Sequence, residues 1–127
     1  MILLCCGDRN WKDRELIAQE IYKACRDVPE SEPIRIVEGE ADGADKMCRQ
    51  YALKVGIFVV GVHADWQTHG KAAGMIRNQR MLDEHHPDLV LAFHDDIEHS
   101  KGTGDMVRRA RLAGIPVIVV KHQLPPE

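Results

Sequence analysis

Ile2-Leu3-Leu4-Cys5-Cys6-Gly7-Asp8-Arg9-Asn10-Trp11 decides the fold class. Five apolar residues follow one another without the alternation of a half-solvated strand, then break at a glycine into charged and aromatic residues. A bilayer span needs roughly 20 apolar residues, so the run is far too short to cross a membrane. It also lacks the basic n-region and the length of a signal peptide. A strand buried on both faces fits it, as in a parallel sheet covered by helices, and the expected setting is cytoplasmic.

The same pattern recurs along the chain. Ile34 to Val37, Ile57 to Val62, Leu89 to Phe93 and Val117 to Val120 are further apolar runs. Between them apolar residues return at helical spacing: Ile17, Ile21, Ala24, Cys25 and Val28, then Ala44, Met47, Cys48, Tyr51, Ala52 and Val55. Met75, Ile76, Met81 and Leu82 mark a third helix, and Thr103, Met106, Val107, Ala110 and Ala113 a fourth that stops at Gly114 before Pro116. Strands joined by helical crossovers are parallel, and right-handed crossovers put helices on both faces. The expectation is an α/β fold, a Rossmann-like three-layer sandwich with a mostly parallel five-stranded sheet, as one domain over residues 1–127. With the strand order 3-2-1-4-5, the first and fourth strands would be neighbours at the switch point, and a ligand would sit outside their carboxyl ends.

Composition narrows the partners. The 127 residues carry 17 Lys and Arg against 20 Asp and Glu, a formal net charge of -3, which argues against a broad basic face for nucleic acid. Cys5, Cys6, Cys25 and Cys48 have no C-x-x-C spacing, and the adjacent pair points to opposite faces of a strand, so they read as small buried hydrophobes.

Four polar segments follow the strands. Gly7 permits a sharp turn, after which Arg9 could clamp a phosphate, Trp11 stack on a base, and Asp8 accept from a ribose hydroxyl. Alternatively, Asp8 and Arg9 pair with each other and Trp11 staples a helix. Glu38-Gly39-Glu40-Ala41-Asp42-Gly43-Ala44-Asp45 has the glycines of a phosphate loop but four carboxylates, which favours ribose hydroxyls or a cation over bare phosphate. Here Asp42 as N-cap and Asp45 in the first helical turn form the alternative. His63 to Asn78 is long for a connector and rich in polar groups, with Trp66, Lys71, Arg77 and Asn78 as candidates; no zinc spacing links His63, Asp65 and His69. Ser100-Lys101-Gly102-Thr103-Gly104-Asp105 combines hydroxyls, a lysine and the start of a helix, the donor set that an anionic oxygen needs. An N-cap by Ser100 or Thr103 is the plainer alternative. Neither a Walker motif nor a G-x-G-x-x-G after the first strand is present.

In this order and spacing the segments resemble the SLOG superfamily, within it the YspA-like branch related to YpsA. The resemblance runs from Gly7-Asp8-Arg9 through Glu38-Gly39, Gly43-Ala44-Asp45, Asp65-Trp66 and Gly70-Lys71-Ala72-Ala73-Gly74 with Arg77-Asn78, to Ser100-Lys101-Gly102-Thr103. It implies a domain that binds nucleotides or nucleotide-derived molecules, as a sensor or as an enzyme. The Lonely Guy phosphoribohydrolases are enzymatic relatives. Their Met-x-x-Arg pattern is similar to Gly74-Met75-Ile76-Arg77, and their P-G-G-x-G-T-x-x-E loop to the Gly102-Thr103 segment, which assigns Arg77, Gly102 and Thr103 by resemblance. Glu98-His99-Ser100 replaces the proline and paired glycines, and Met106 stands at the catalytic glutamate position. Methionine cannot carry a proton, so N-glycosidic cleavage would need Asp105 or Glu38 as a stand-in.

The leading expectation is a binder of a nucleotide-like small molecule, with phosphate on Ser100 to Gly104 and Arg9, Lys71 and Arg77 neutralising charge. Cleavage of an N-glycosidic bond is the alternative, and single-stranded nucleic-acid binding a second one. The residues single out no definite cofactor, and magnesium could arrive with a nucleotide. A homo-oligomer is expected, with Met47, Met75, Met81 and Leu82 as its face, or else as core.

Overall fold

The computed structural model describes residues 1–122. β1 (Ile2–Gly7) lies at the centre of a five-stranded sheet, flanked by β2 (Arg35–Glu38) and β4 (Leu89–Phe93), with β3 (Phe58–Gly61) and β5 (Val117–Val120) at the edges. Every pairing is parallel, and the order is 3-2-1-4-5, the one that sets β1 beside β4 at the switch point. β1 and β4 pair in register from Leu3 opposite Leu89 to Gly7 opposite Phe93, which brings their carboxyl ends out together.

Strand alternation divides the core. Leu3, Cys5, Ile36, Leu91 and Phe93 face α1 (Arg14–Cys25) and α2 (Ala44–Val55), while Leu4, Cys6, Val37, Val90 and Ala92 face α4 (Ala73–His85) and α5 (Gly102–Leu112). Each fully buried leucine or isoleucine of these layers contributes about 1.5–3 kcal/mol relative to exposure, which explains why both faces must be covered. The adjacent cysteines indeed separate, Cys5 into one layer and Cys6 into the other.

Helix ends follow local chemistry. Asp13 caps α1 by accepting from Leu16 N–H at 3.0 Å, and Gly56 closes α2 in the left-handed region at φ 81°. The long third connector is itself helical: Asp65 accepts from Thr68 N–H at 3.1 Å and starts the one-turn α3 (Trp66–His69), before a tighter turn leads into α4. Met81 and Leu82 lie in the core and Met47 packs against it, so of the residues expected at an oligomer face only Met75 is exposed, beside Ile76. Ala113 falls just past α5 and is exposed, because Gly114 at φ 76° already turns the chain. No helix among the described residues is long and apolar enough to cross a membrane.

Candidate functional site

A cleft of about 670 Å³ opens at the carboxyl ends of the sheet. Its first wall comes from the end of β1. A Cβ on Gly7 would stand 2.5 Å from the Phe93 carbonyl oxygen and 2.6 Å from Ala44 Cβ, so only glycine lets β4 and α2 close on the strand end. The Asp8 carbonyl accepts from the Trp11 and Ala44 N–H groups, both at 3.1 Å, and its carboxylate from Asn10 N–H at 2.9 Å. Asp8 thus shapes its own turn instead of pairing with Arg9, and Asp8, exposed Arg9 and Asn10 all line the cleft.

Trp11 corrects the expectation of a stacking face. It is 4% exposed, set edge-on to Phe93 with centroids 5.8 Å apart and stacked on His122 at 4.6 Å. Its indole N–H donates to the Asp13 carbonyl at 3.0 Å. The large apolar ring is better satisfied inside the sheet-helix layer than at a polar cleft. Exposed His122 bridges Asp13 at 2.8 Å and Asp95 at 2.9 Å, and these carboxylates hold its imidazole above the usual histidine range.

The acidic second segment sorts itself by partner. Glu38 is fully buried, accepts from Glu40 N–H at 2.8 Å and from Arg49 Nη2 at 3.0 Å, and does not line the cleft. Burial pushes its carboxyl up, against the pull of the Glu40 N–H and of Arg49. It is therefore structural, neither an acid stand-in nor a ligand contact. Asp42 is not the N-cap; it pairs with Lys46 at 2.5 Å, and Gly43 occupies the cap position at φ 75°. A Cβ on Gly43 would meet the Arg9 backbone at 2.4 Å, so Gly43 joins the two loops from behind and does not face a ligand.

Asp45 remains. Its residue is 4% exposed and lines the cleft, while Oδ2 accepts from Gly39 N–H at 3.1 Å and Ala41 N–H at 3.3 Å. Burial raises its carboxyl to about 7, with the Glu38 charge adding to the effect and the two N–H groups and Arg77 opposing it. A carboxyl that can be neutral or ionised near neutrality faces the ligand space.

Across the cleft stand Trp66, 57% exposed, and the first turns of α4. Arg77 donates from Nη1 to the Gly39 carbonyl at 2.6 Å and from Nε to Asn78 Oδ1 at 3.2 Å. Its guanidinium would lie 2.9 Å from a Cβ on Gly39, which explains the glycine there. Asn78 is buried and gives Nδ2 to the Gly102 carbonyl at 3.2 Å and to Asp105 Oδ2 at 3.1 Å, so it joins Arg77 to the α5 turn. Lys71 is exposed on the turn before α4 and lies outside the cleft lining.

The fourth wall is the start of α5. Ser100 Oγ accepts from Thr103 N–H at 3.1 Å and Gly104 N–H at 3.3 Å, while the N–H groups of exposed Lys101 and Gly102 have no partner among the described residues. Gly104 lies against the Ile97 carbonyl and lines a neighbouring groove instead. Asp105 is also corrected as an acid stand-in. It is 2% exposed, bound by Arg108 at 2.7 Å, Arg109 at 2.8 Å and Asn78, and turned from the cleft. Met106 takes the cleft side of that helix turn. No three His, Cys, Asp or Glu side chains among the described residues converge as a metal set.

Asp42 does line the cleft, whereas sequence reading missed Cys6, Asn10, Glu40, Ala41, Met81, His94, His99 and Met106 in the lining. Cys6 and Met81 carry the ordinary signature of core residues, so no local signal distinguishes them; burial pushes the Cys6 thiol up. His99 pairs with Asp96 at 2.8 Å, which holds its imidazole above the usual histidine range.

Residues 1–69 match the model of the YspA, cpYpsA-related SLOG family. The chain is 37% identical over 125 residues to Gene 61 protein of Mycobacterium phage D29, covering 91% of this chain and 93% of that protein.

Proposed function

The chain belongs to the YspA, cpYpsA-related SLOG family, and on that premise we propose that its cleft binds a nucleotide or nucleotide-derived small molecule. The observation that carries the reading is the turn at Ser100 to Thr103. There the Lys101 and Gly102 N–H groups, without partners among the described residues, belong to residues that line the cleft together with Arg9 and Arg77. Backbone donors at a helix start with flanking cations suit phosphate oxygens, and exposed Trp66 offers the aromatic face that Trp11 does not. Three of the four carboxylates of the second segment have cations of their own. Glu38 and Glu40 share Arg49, and Asp42 has Lys46. Binding rather than N-glycosidic cleavage is favoured because both acids proposed as stand-ins sit in ion pairs away from the cleft.

A thermal-shift screen against mononucleotides, dinucleotides, ADP-ribose derivatives and cyclic nucleotides, with and without magnesium, tests the reading. A ligand at about a hundred times its dissociation constant adds roughly 2.7 kcal/mol and raises the melting point by several degrees. The shift should shrink in Arg9→Ala and Lys101→Ala, both exposed positions whose loss leaves the fold intact. No shift from any phosphate-bearing compound defeats the proposal, and release of free base would restore the hydrolase reading. Self-association would use exposed Met75 and Ile76 near Trp66, and a monomeric mass by light scattering would remove it.

A further inference from the structure

We propose that Asp45 and Arg77 form a hydroxyl-reading subsite on the cleft floor, so that the ligand is a phosphorylated ribose derivative presenting a free vicinal diol. This deepens the nucleotide reading and rests on it. The argument begins with an unused acceptor. Asp45 is 4% exposed, and both of its hydrogen bonds go to Oδ2; Oδ1 has no partner among the described residues, in a residue that lines the cleft. Among the described residues only Arg49 Nε is a fully buried side-chain polar atom without a partner, so Oδ1 is reached from the cleft, where a bound molecule can bring it a donor in place of water.

Arg77 supplies the complement. Its Nε and Nη1 are engaged by Asn78 and the Gly39 carbonyl, while Nη2 has no hydrogen-bond partner among the described residues. The Gly39 peptide ties the two together, its N–H held by Asp45 and its carbonyl by Arg77. A phosphate only accepts, so it would satisfy the arginine and be repelled by the carboxylate. An ammonium group only donates and meets the reverse conflict. A hydroxyl does both, giving its proton to Asp45 and accepting from Arg77, and two neighbouring hydroxyls use both oxygen and guanidinium edges. Of the other acids of the segment, Glu38 is buried on Arg49 away from the cleft, while Glu40 and Asp42 line the cleft with carboxylates already paired to Arg49 and Lys46. With phosphate at the α5 turn, the sugar is the part of a nucleotide left for the floor.

Calorimetric titration of the full chain with the four ribonucleoside 5′-monophosphates and their 2′-deoxy counterparts is the test, repeated on Asp45→Asn. Asparagine keeps an acceptor for the Gly39 and Ala41 N–H groups but turns an amide donor toward the cleft. Losing a hydroxyl that bonds a carboxylate weakens binding by about tenfold or more, so the wild-type chain should prefer the ribo form by that factor. Asp45→Asn, with its melting point at or above that of the wild type as proof of folding, should bring the two forms within about twofold. Binding without a ribo preference, or a preference that survives in Asp45→Asn, overturns the subsite and leaves the nucleotide reading standing. Failure of all eight nucleotides to bind overturns the subsite, and the nucleotide reading falls with it only when the wider thermal-shift screen is also silent.

Discussion

Replacing Asp45 by asparagine should stabilise the protein, and by an amount that grows with pH. The side chain is 4% exposed and burial holds its carboxyl at about 7, against 3.8 for a free aspartate. Below both values the group is neutral in the folded and unfolded chain and contributes no difference. Between them the unfolded chain gives up the proton while the fold retains it, so stability falls as pH rises. Above about 7 the fold carries a buried charge and the loss is complete, with a ceiling of about 4 kcal/mol at roughly 1.4 kcal/mol per tenfold in proton affinity. Asparagine accepts from the Gly39 and Ala41 N–H groups as the carboxyl does, but never ionises. Urea unfolding of both chains near pH 4 and near pH 8 isolates the effect, because every other titrating group is common to the two and cancels in the difference. The variant should match the wild type at the acid end and exceed it by on the order of 2–4 kcal/mol at the alkaline end. A difference that does not change with pH, or a variant weaker at the alkaline end, would show that the carboxylate is well solvated and ionised throughout, and the argument for its unused oxygen would fall with it.

Other expectations are independent of the ligand. Arg49→Ala strands the fully buried Glu38 carboxylate and should cost about 3 kcal/mol in chemical denaturation, whereas Glu38→Gln in the same background should recover part of it. Gly43→Ala forces a Cβ to 2.4 Å from the Arg9 backbone at φ 75°, so it should lower stability by more than about 2 kcal/mol and disturb both loops. His122 has a raised imidazole held by Asp95 and Asp13, so its ion pairs are intact below the ordinary histidine range and lost as pH rises through the raised value. In a Trp66→Phe background the stacked Trp11 fluorescence should change over that upper interval, and His122→Ala should abolish the change.

The topology was legible because β1, β4 and β5 are nearly pure apolar sequence and α1 and α2 carry clear apolar stripes; Leu89 to Phe93 and Val117 to Val120 match the observed strands to the residue. The loops were legible as places, since glycine-bounded polar segments after parallel strands mark ligand space. What sequence could not supply was the direction of each side chain. Trp11 and Trp66 are both tryptophans on loops, but one packs against Phe93 and the other faces water. Glu38, Asp42, Asp45 and Asp105 are chemically equivalent until tertiary partners are known. Arg49, Lys46, Arg108 and Arg109 claim three of them, and those pairings span up to 11 residues of chain. Charge counting alone therefore overstated the negative field of the second segment.

The two readings of the Ser100 turn, helix cap or anion seat, separate when stability and affinity are measured on the same variants. Ser100 Oγ accepts from two N–H groups, which is a cap, and this leaves its hydroxyl hydrogen free for an anion beside the Lys101 and Gly102 N–H groups. Ser100→Ala removes both contributions, so stability should fall by about 1 kcal/mol and nucleotide affinity with it. Ser100→Asp breaks the correlation. A carboxylate is as good a cap as serine and gains from the helix dipole, so stability should hold. The same carboxylate would stand where a phosphate oxygen needs a donor, and affinity should drop by at least about tenfold through repulsion at close range. If affinity instead follows stability through both substitutions, the turn only caps α5 and phosphate must be held elsewhere in the cleft.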